Sequence, residues 1–403
     1  MDLKSGYPFW AVSNGLMHAF PPLQGNLHCD VLVVGGGISG ALIADELSAH
    51  GHEVAVIEQR DIGWGSTAAS TALLQYEIDT HLVDLAQRYG ENAAVLAYQA
   101  CAEAIPALRV VAGAFSGVDC QRMHSLYYAS KRGHHAVLHA EFALRRRHGF
   151  DVRWLEAAAL QEEFGIDAAG AILSGLAARV DPYRLTYRLL MRLRKRGVGI
   201  YDRTVLDTLV PTARGVTATT AAGLQIRCRH VVLATGYAGQ HWLKQRVARN
   251  RSSYAFITDP IDPDLLGPLA QTMVWESARP YLYLRSTGDH RLLVGGEDDA
   301  LDIPARRDRR VAAKTARLLD KTARLFPQLS LQPAFSWAGT FAETHDGLPF
   351  FGAHAQWGPR VLFAMAYGGN GITYSMIGAG LLRARIEGRR HRLAELFGFG
   401  RLG

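Results

Sequence analysis

Short runs of uninterrupted apolar residues alternate along this chain with stretches in which apolar positions recur every three or four residues. The first pattern predicts strands buried on both faces, the second helices with one apolar face. Residues 31–34 (Val-Leu-Val-Val) read as such a strand, 41–50 as a helix stopped by Gly51, and 54–57 as a second strand closed by Glu58. Residues 82–116 read as helical, with Leu82, Leu85, Tyr89, Val95, Tyr98 and Ala102 at helical spacing. A strand over 125–130 precedes a helix over 134–148, whose end, Arg145-Arg146-Arg147, reads as solvated. Asp181-Pro182 opens a helix to Arg196 that Gly197 stops, with proline in the first turn.

A strand over 199–210, a hairpin pairing 215–220 with 223–228, and an apolar strand over 230–236 return the chain to the first sheet. Residues 254–259 and 272–276 read as strands of a different, more open sheet. A hairpin joins 281–284 to 291–295 around Thr287-Gly288-Asp289, and 304–326 reads as a long basic helix. A strand over 361–366 leads through Tyr367-Gly-Gly-Asn-Gly-Ile372 into a last helix ending near Gly388. Residues 1–29, with Pro8, Phe9, Trp10, Pro21 and Pro22, read as an irregular arm laid over the body.

At 403 residues the chain is long enough for two domains. No apolar run approaches the roughly 18 residues that span a bilayer, and residues 1–22 lack a signal-peptide pattern. Cys29, Cys101, Cys120 and Cys228 are scattered, with no C-x-x-C pair, which points to reduced thiols and a cytoplasmic protein. Solvated arginine-rich helix faces account for the net charge of +7; attraction to anionic partners or a membrane surface is the alternative. His134, His135 and His139 lie close together, but nothing completes a ligand set and no metal is expected.

The chemistry begins in the first strand–helix–strand unit. Gly35, Gly37 and Gly40 have G-x-G-x-x-G spacing between strand and helix, and Glu58 follows Gly40 by 18 residues. Such glycines permit a tight turn, close approach of backbone to a pyrophosphate, and helix–strand packing. The helix N-terminus offers free N–H groups to phosphates, and the acid takes ribose hydroxyls. This predicts a bound NAD or FAD. A second glycine turn, Gly368, Gly369 and Gly371, stands before the last helix. Two such turns, one near each end, suggest one long ligand, and FAD fits. Its pyrophosphate would lie at residues 35–40 and its flavin at 369–373. The N-terminus of the last helix would stabilise the negative charge of a reduced flavin near N1 and O2. Val205, after the 182–196 helix, is expected to hold adenine through its backbone. The small, hydroxyl-rich segment 63–79 is suited to close contact with a flat ligand.

The ordered set VVGGGISG with Glu58, VVLATG, WAGTFAETHDGLPFFG and YGGNGI resembles the D-amino-acid oxidase and glycine oxidase family of flavoproteins. That family includes sarcosine oxidase and the γ-glutamylputrescine oxidase-like enzymes. The resemblance covers nearly the whole chain. It implies an α/β fold with a discontinuous, Rossmann-like FAD-binding domain (1–85, 178–240, 343–403). A substrate domain (86–177, 241–342) with a mixed, mostly antiparallel sheet would roof the flavin. It implies hydride removal from a C–N bond, giving an imine that water hydrolyses. Expected cofactor contacts are Gly35, Gly37, Ile38, Ser39, Gly40, Glu58, Gln59, Arg60, Ser66, Thr67, Thr71, Leu73, Val205, Thr235, Gly236, Asp346, Gly369, Asn370, Gly371, Ile372 and Thr373.

The departures bear on substrate. Phe341 stands where glycine oxidase-like members carry a carboxylate-binding Arg, and Thr373 near a Lys of sarcosine oxidase-like members. Their covalent flavin Cys falls near Gly339, so non-covalent FAD is expected; their His and Arg over the flavin fall near Ala68 and Ala72. Leu293 stands where some oxidases place an oxygen-activating Lys. Tyr281, Tyr283 and Arg285 would share one strand face. Tyr281 matches a substrate-contacting tyrosine of the family, and Arg279 is suited to hold an anion; sheet packing and a surface arginine are the alternative readings. His345 is read either as a base that keeps an amine neutral or as a plain loop histidine. Gln75 and Tyr76 are placed at the pocket from the loop over the flavin.

The reading is an FAD-dependent oxidoreductase acting on an amine or amino-acid derivative, with oxygen or a quinone or electron carrier as acceptor. One alternative is a dehydrogenase of the same fold serving a quinone or carrier. Another is a flavin-bearing protein that binds nucleic acid, for which no recognisable module is present.

Overall fold

The computed structural model describes residues 2–5, 8–300 and 302–402. Its first sheet runs, from edge to edge, Phe350–Ala353, Val361–Met365, Gln225–Leu233, Leu27–Val34, Val54–Ile57 and Gly199–Tyr201. All these pairings are parallel except the Phe350–Ala353 edge. Residues 31–34 and 54–57 are buried on both faces, as expected of parallel strands covered by helices. The helix Ile38–Ala49 covers one face and packs on the last helix, Gly371–Ile386, through a 2.6 Å contact between the Ser39 and Ser375 hydroxyls. The helix Pro182–Lys195 starts as its sequence dictates: the Asp181 carboxylate accepts from the Arg184 N–H at 2.8 Å and proline takes the first turn.

The second sheet runs Pro333–Glu343, Arg249–Thr258, Leu292–Asp299, Leu282–Ser286, Thr272–Glu276, Gln121–Tyr128, Gly170–Arg179 and Leu73–Gln75, with Val152–Glu156 beside Gly170–Arg179. Thr272–Glu276 and Gln121–Tyr128 pair in parallel; the other pairings are antiparallel. Its outer face is sealed by the helix Val311–Leu325, whose Leu318 is fully buried.

Several expected elements are divided. The 199–210 strand breaks into Gly199–Tyr201 and Leu206–Pro211. The break is fixed from outside: Arg203 has φ 45°, the buried Asp202 accepts from the Phe20 N–H, and Thr204 N–H donates to the Glu58 carbonyl. Gly90 (φ 82°) divides 82–116 into Leu82–Tyr89 and Glu91–Gly113. The long basic helix splits into Pro304–Asp308 and Val311–Leu325, because the buried Arg307 turns inward to the Asp2 carbonyl and Thr340 hydroxyl.

The arm is partly regular: Phe9–Asn14 is helical, and Ser5 N–H and Leu3 C=O bond to Ala338 and Thr340 at the sheet edge. Trp10 anchors it by donating to the Ser70 carbonyl at 2.7 Å, while Met1, Gly6 and Tyr7 lie outside the described residues. Arg145 corrects the reading of its triplet as solvated. It is fully buried, bonded to Glu141 at 2.8 Å and 3.7 Å from Glu77. Glu91–Gly113 is, among the described residues, long and apolar enough to cross a membrane, yet its Tyr98, Cys101, Ile105 and Leu108 lie in the core.

Candidate active site

One cavity of about 1180 Å³ runs between the two sheets. That exceeds the ~300–1,000 Å³ of an ordinary ligand pocket and leaves room for a dinucleotide and a second, smaller molecule. At one end it is lined by Gly35, Gly37, Ile38 and Ser39, by Glu58, Gln59 and Arg60, and by Val205, Thr235 and Gly236. Gly35 has φ 119°, and a side chain there would meet the Ala234 carbonyl oxygen at 2.2 Å. Gly40 does not line the cavity. A Cβ on it would lie 1.9 Å from the Gly35 carbonyl oxygen, so it lets the helix pack against the turn.

Glu58 holds this end together. Its Oε2 accepts from Gly36 N–H at 2.8 Å and its Oε1 from Arg60 N–H at 2.9 Å, while burial pushes its pKa up. Glu58 lines the cavity, and its carboxylate oxygens keep acceptor capacity beyond these two bonds. Val205 departs from its expected place on a strand. It sits in the break before Leu206, and its carbonyl accepts from Ala221 N–H at 2.9 Å.

Ser66, Thr67, Thr71, Leu73 and Gln75 line the middle. The hydroxyl oxygens of Ser66 and Thr235 are buried without a hydrogen-bond partner among the described residues, although both residues line the cavity. Buried hydroxyls normally find partners. The residues therefore fit a polar ligand such as FAD, with Ser66, Thr235 and the N-terminus of Ile38–Ala49 at its phosphates and ribose.

At the far end lie Gly369, Asn370, Gly371 and Ile372. The turn is braced by the segment 75–79: Thr373 Oγ1 donates to the Gln75 carbonyl (3.2 Å), Asn370 Nδ2 to the Glu77 carbonyl (2.7 Å), and Gly369 N–H to Asp79 Oδ2 (2.8 Å). Thr373 is thus a brace off the cavity wall, not a lining residue. Gln75 does line it, with its amide donating to Ser125 Oγ at 3.0 Å.

Beyond this turn the wall consists of Trp275, Tyr281, Tyr283 and Phe341 with Asp79, Asp298, Glu343 and Arg279. Burial, then the charge of Asp298, pushes the Tyr283 phenol up to about 12, and burial raises Tyr281 further, so both are neutral. Arg279 is already engaged. It lies over the Tyr281 ring at 4.3 Å, donates to the Asp79 carbonyl at 3.1 Å and stands 3.8 Å from Glu343.

His345 and Asp346 are corrections. The His345 ring is exposed and outside the cavity. Asp346 is buried on the other side of the turn, accepting from Tyr89 at 2.7 Å and paired with Arg401 at 2.7 Å. The strand Pro333–Glu343 ends before them, and the turn carries both away from the ligand space. Asp79, Asp298, Glu343 and Trp275 were not among the expected site residues. Asp79 closes the small-residue segment 63–79, which was the available signal for it.

Residues 30–385 match the family described as FAD dependent oxidoreductase (DAO), and the chain belongs to that family. It is 29% identical over 383 residues to glycine oxidase of Geobacillus kaustophilus, covering 92% of this chain and 96% of that protein. It is 25% identical to γ-glutamylputrescine oxidoreductase of Escherichia coli, covering 95% and 89%. The crystal structure of the Geobacillus kaustophilus glycine oxidase superposes with a TM-score of 0.77 over 93% of this chain and 98% of that one, at 22% identity. That of L-proline dehydrogenase from P. horikoshii gives 0.75 over 93% and 97%, at 18% identity. These likenesses show the fold.

Proposed function

We propose that this chain uses non-covalent FAD to remove a hydride from the C–N bond of an amine or amino-acid derivative, leaving an imine that water hydrolyses. The observation that carries this is the continuity of one cavity past both glycine turns into an aromatic, acidic chamber. Relatives named glycine oxidase and γ-glutamylputrescine oxidoreductase support the substrate class. Bound there, FAD supplies the two-electron acceptor. The N–H groups at the start of Gly371–Ile386 form the positive end of a helix, which would stabilise negative charge on a flavin held there. Trp275, Tyr281, Tyr283 and Phe341 exclude water and orient the substrate carbon. No cysteine is among the lining residues, which supports non-covalent binding.

The strands of the first sheet all fall in 1–85, 178–240 and 343–403, and we take these segments as the cofactor module. Residues 86–177 and 241–342 supply most of the second sheet, with Leu73–Gln75 as a crossing strand and Gly170–Arg179 and Pro333–Glu343 running one or two residues past the bounds. Free thiols at all four cysteines agree with a cytoplasmic setting.

The test is anaerobic mixing of the holoprotein with a panel of amines and amino acids, followed by air. Bleaching of the flavin by at least one amine is expected; no bleaching across the panel overturns the reading. Rapid return of the oxidised spectrum in air marks oxygen as acceptor. Persistence in air with recovery on adding a soluble quinone marks a dehydrogenase.

A further inference from the structure

The strand Leu292–Asp299 does not alternate regularly. Leu293 packs into the core on the cofactor side, and Val294 into the outer core. Gly296 and Glu297 then both adopt positive φ, 135° and 54°. The register with Arg249–Thr258 slips at the same place: Tyr254 faces Gly296, but Ser252 faces Asp299. This is a β-bulge, a device that re-aims side chains beside functional sites. It sends Glu297 outward to Lys314 and Lys321 and Asp299 outward to Arg310 and Lys314, and it swings Asp298 into the cavity. The left-handed conformation is costly for a residue with a side chain such as Glu297.

Among the described residues, Asp298 gains no salt bridge from this. Its Oδ1 is closed to solvent and has no hydrogen-bond partner. The Ser253 hydroxyl, itself 3.2 Å from the Tyr283 hydroxyl, is the neighbour that hydrogen-bonds the carboxyl. The other charged groups acting on it are Asp79 and Glu343, of like sign, and Arg279. Glu343 is paired with Arg251 at 2.9 Å as well as facing Arg279. Gly295, opposite Tyr283, has no side chain because a Cβ would strike the Tyr283 ring at 2.4 Å; the ring is thereby free to fold over the strand.

We propose that Asp298 is the recognition site for a positively charged group of the substrate, one that lies beyond the nitrogen being oxidised, with Tyr281, Tyr283 and Trp275 as the aromatic walls that receive it. Aromatic walls, with Trp275 and Tyr281 edge to face, and a desolvated carboxylate together favour an alkylammonium over a neutral or anionic tail. A substrate carboxylate at the same place would face Asp298, Asp79 and Glu343, with a single guanidinium already engaged by Asp79 and Tyr281. The substrate class is therefore a diamine-like cation without a carboxylate in this chamber. This rests on the amine-oxidising reading above.

The test is calorimetric binding to the oxidised holoprotein, under anaerobic conditions, of three compounds alike except at one end: N-methyl-1,4-diaminobutane, N-methylbutylamine and 4-(methylamino)butanoate. The ammonium compound is expected to bind roughly tenfold more tightly than the methyl compound, and the carboxylate compound more weakly than either. Asp298→Asn, which keeps shape and removes charge, is expected to narrow the ammonium preference to below about threefold while keeping its flavin. Equal binding of the three, tightest binding of the carboxylate, binding of none, or an Asn variant that keeps the wild-type order would each overturn the proposal. The wild-type series stands alone if the variant loses its flavin. Bleaching by other amines alongside a failed charge series would sink this inference and leave the oxidoreductase reading intact.

Discussion

The backbone N–H of Gly369 donates to Asp79 Oδ2 at 2.8 Å, tying the second glycine turn to the end of the 63–79 segment. A Cβ on Gly369 would stand 2.9 Å from Asp79 Oδ1, so the turn can approach the carboxylate only because residue 369 is glycine. Burial pushes the Asp79 pKa up, and the Gly369 N–H opposes that rise. The bond is charge-assisted whenever Asp79 is ionised. Asp79→Ala should free the turn and weaken FAD binding about tenfold, the equivalent of ~1.4 kcal/mol. Asp79→Asn retains an acceptor and should stay within roughly threefold of wild type. Flavin fluorescence released on dilution measures both, and equal losses in the two variants would refute the role.

The first glycine turn separates folding from binding. Gly40→Ala drives a Cβ into the Gly35 carbonyl oxygen, a backbone atom that cannot move aside, and should cost about 1–3 kcal/mol or more of stability. Gly37→Ala meets only the Thr67 hydroxyl, at 3.0 Å. Its stability without cofactor should change by less than about 1 kcal/mol, while FAD affinity falls at least tenfold because the added methyl stands where the pyrophosphate approaches. Thermal melts of the flavin-stripped proteins and flavin titrations distinguish the two losses.

The parallel half of the molecule was legible because its signals are local. Residues 31–34 and 54–57 are apolar throughout, and Gly35, Gly37 and Gly40 stand at fixed spacing inside one strand–helix unit, although of the three only Gly40 meets its constraint within that unit. The acidic chamber was not legible. Counting alternate positions from Leu293 puts Glu297 on the cavity face and Asp298 behind it; the bulge at Gly296–Glu297 reverses that count. His345 and Asp346 misled for a related reason, since adjacency to the strand Pro333–Glu343 says nothing about which way the following turn leaves the sheet.

Arg145, Arg146 and Arg147 look alike in sequence, and only tertiary contacts separate them. Arg145 is enclosed with Glu141 and Glu77, while the Arg147 side chain is exposed and pairs with Glu91 on the surface. Arg145→Met leaves two buried carboxylates without their counter-charge and should cost about 3–5 kcal/mol. Arg147→Ala should stay within about 1 kcal/mol. Urea unfolding of the holoproteins tests the contrast, and similar midpoints for both variants would count against a buried ion cluster.

Burial, opposed by the Ser253 hydroxyl and raised further by Asp79, holds the Asp298 carboxyl at about 6 instead of the ordinary 3.8. The folded protein therefore binds this proton more tightly than the unfolded chain does. By linkage, the group's contribution to stability is greatest below 3.8 and is lost as pH rises through about 6. Ligand binding has the opposite dependence, because an ammonium partner favours the ionised form. Affinity for N-methyl-1,4-diaminobutane should rise about tenfold between pH 5 and pH 7.5 and then level off, as the carboxylate becomes fully charged and the amines remain protonated. Asp79, whose pKa burial also raises, and Glu343 face the same space, with Arg279 as the opposing charge, so part of the slope belongs to Asp79. In Asp298→Asn the steep part should disappear and only that residual slope persist. A wild-type profile that is flat from pH 5 to pH 7.5 would show that no carboxylate in the chamber changes charge on binding.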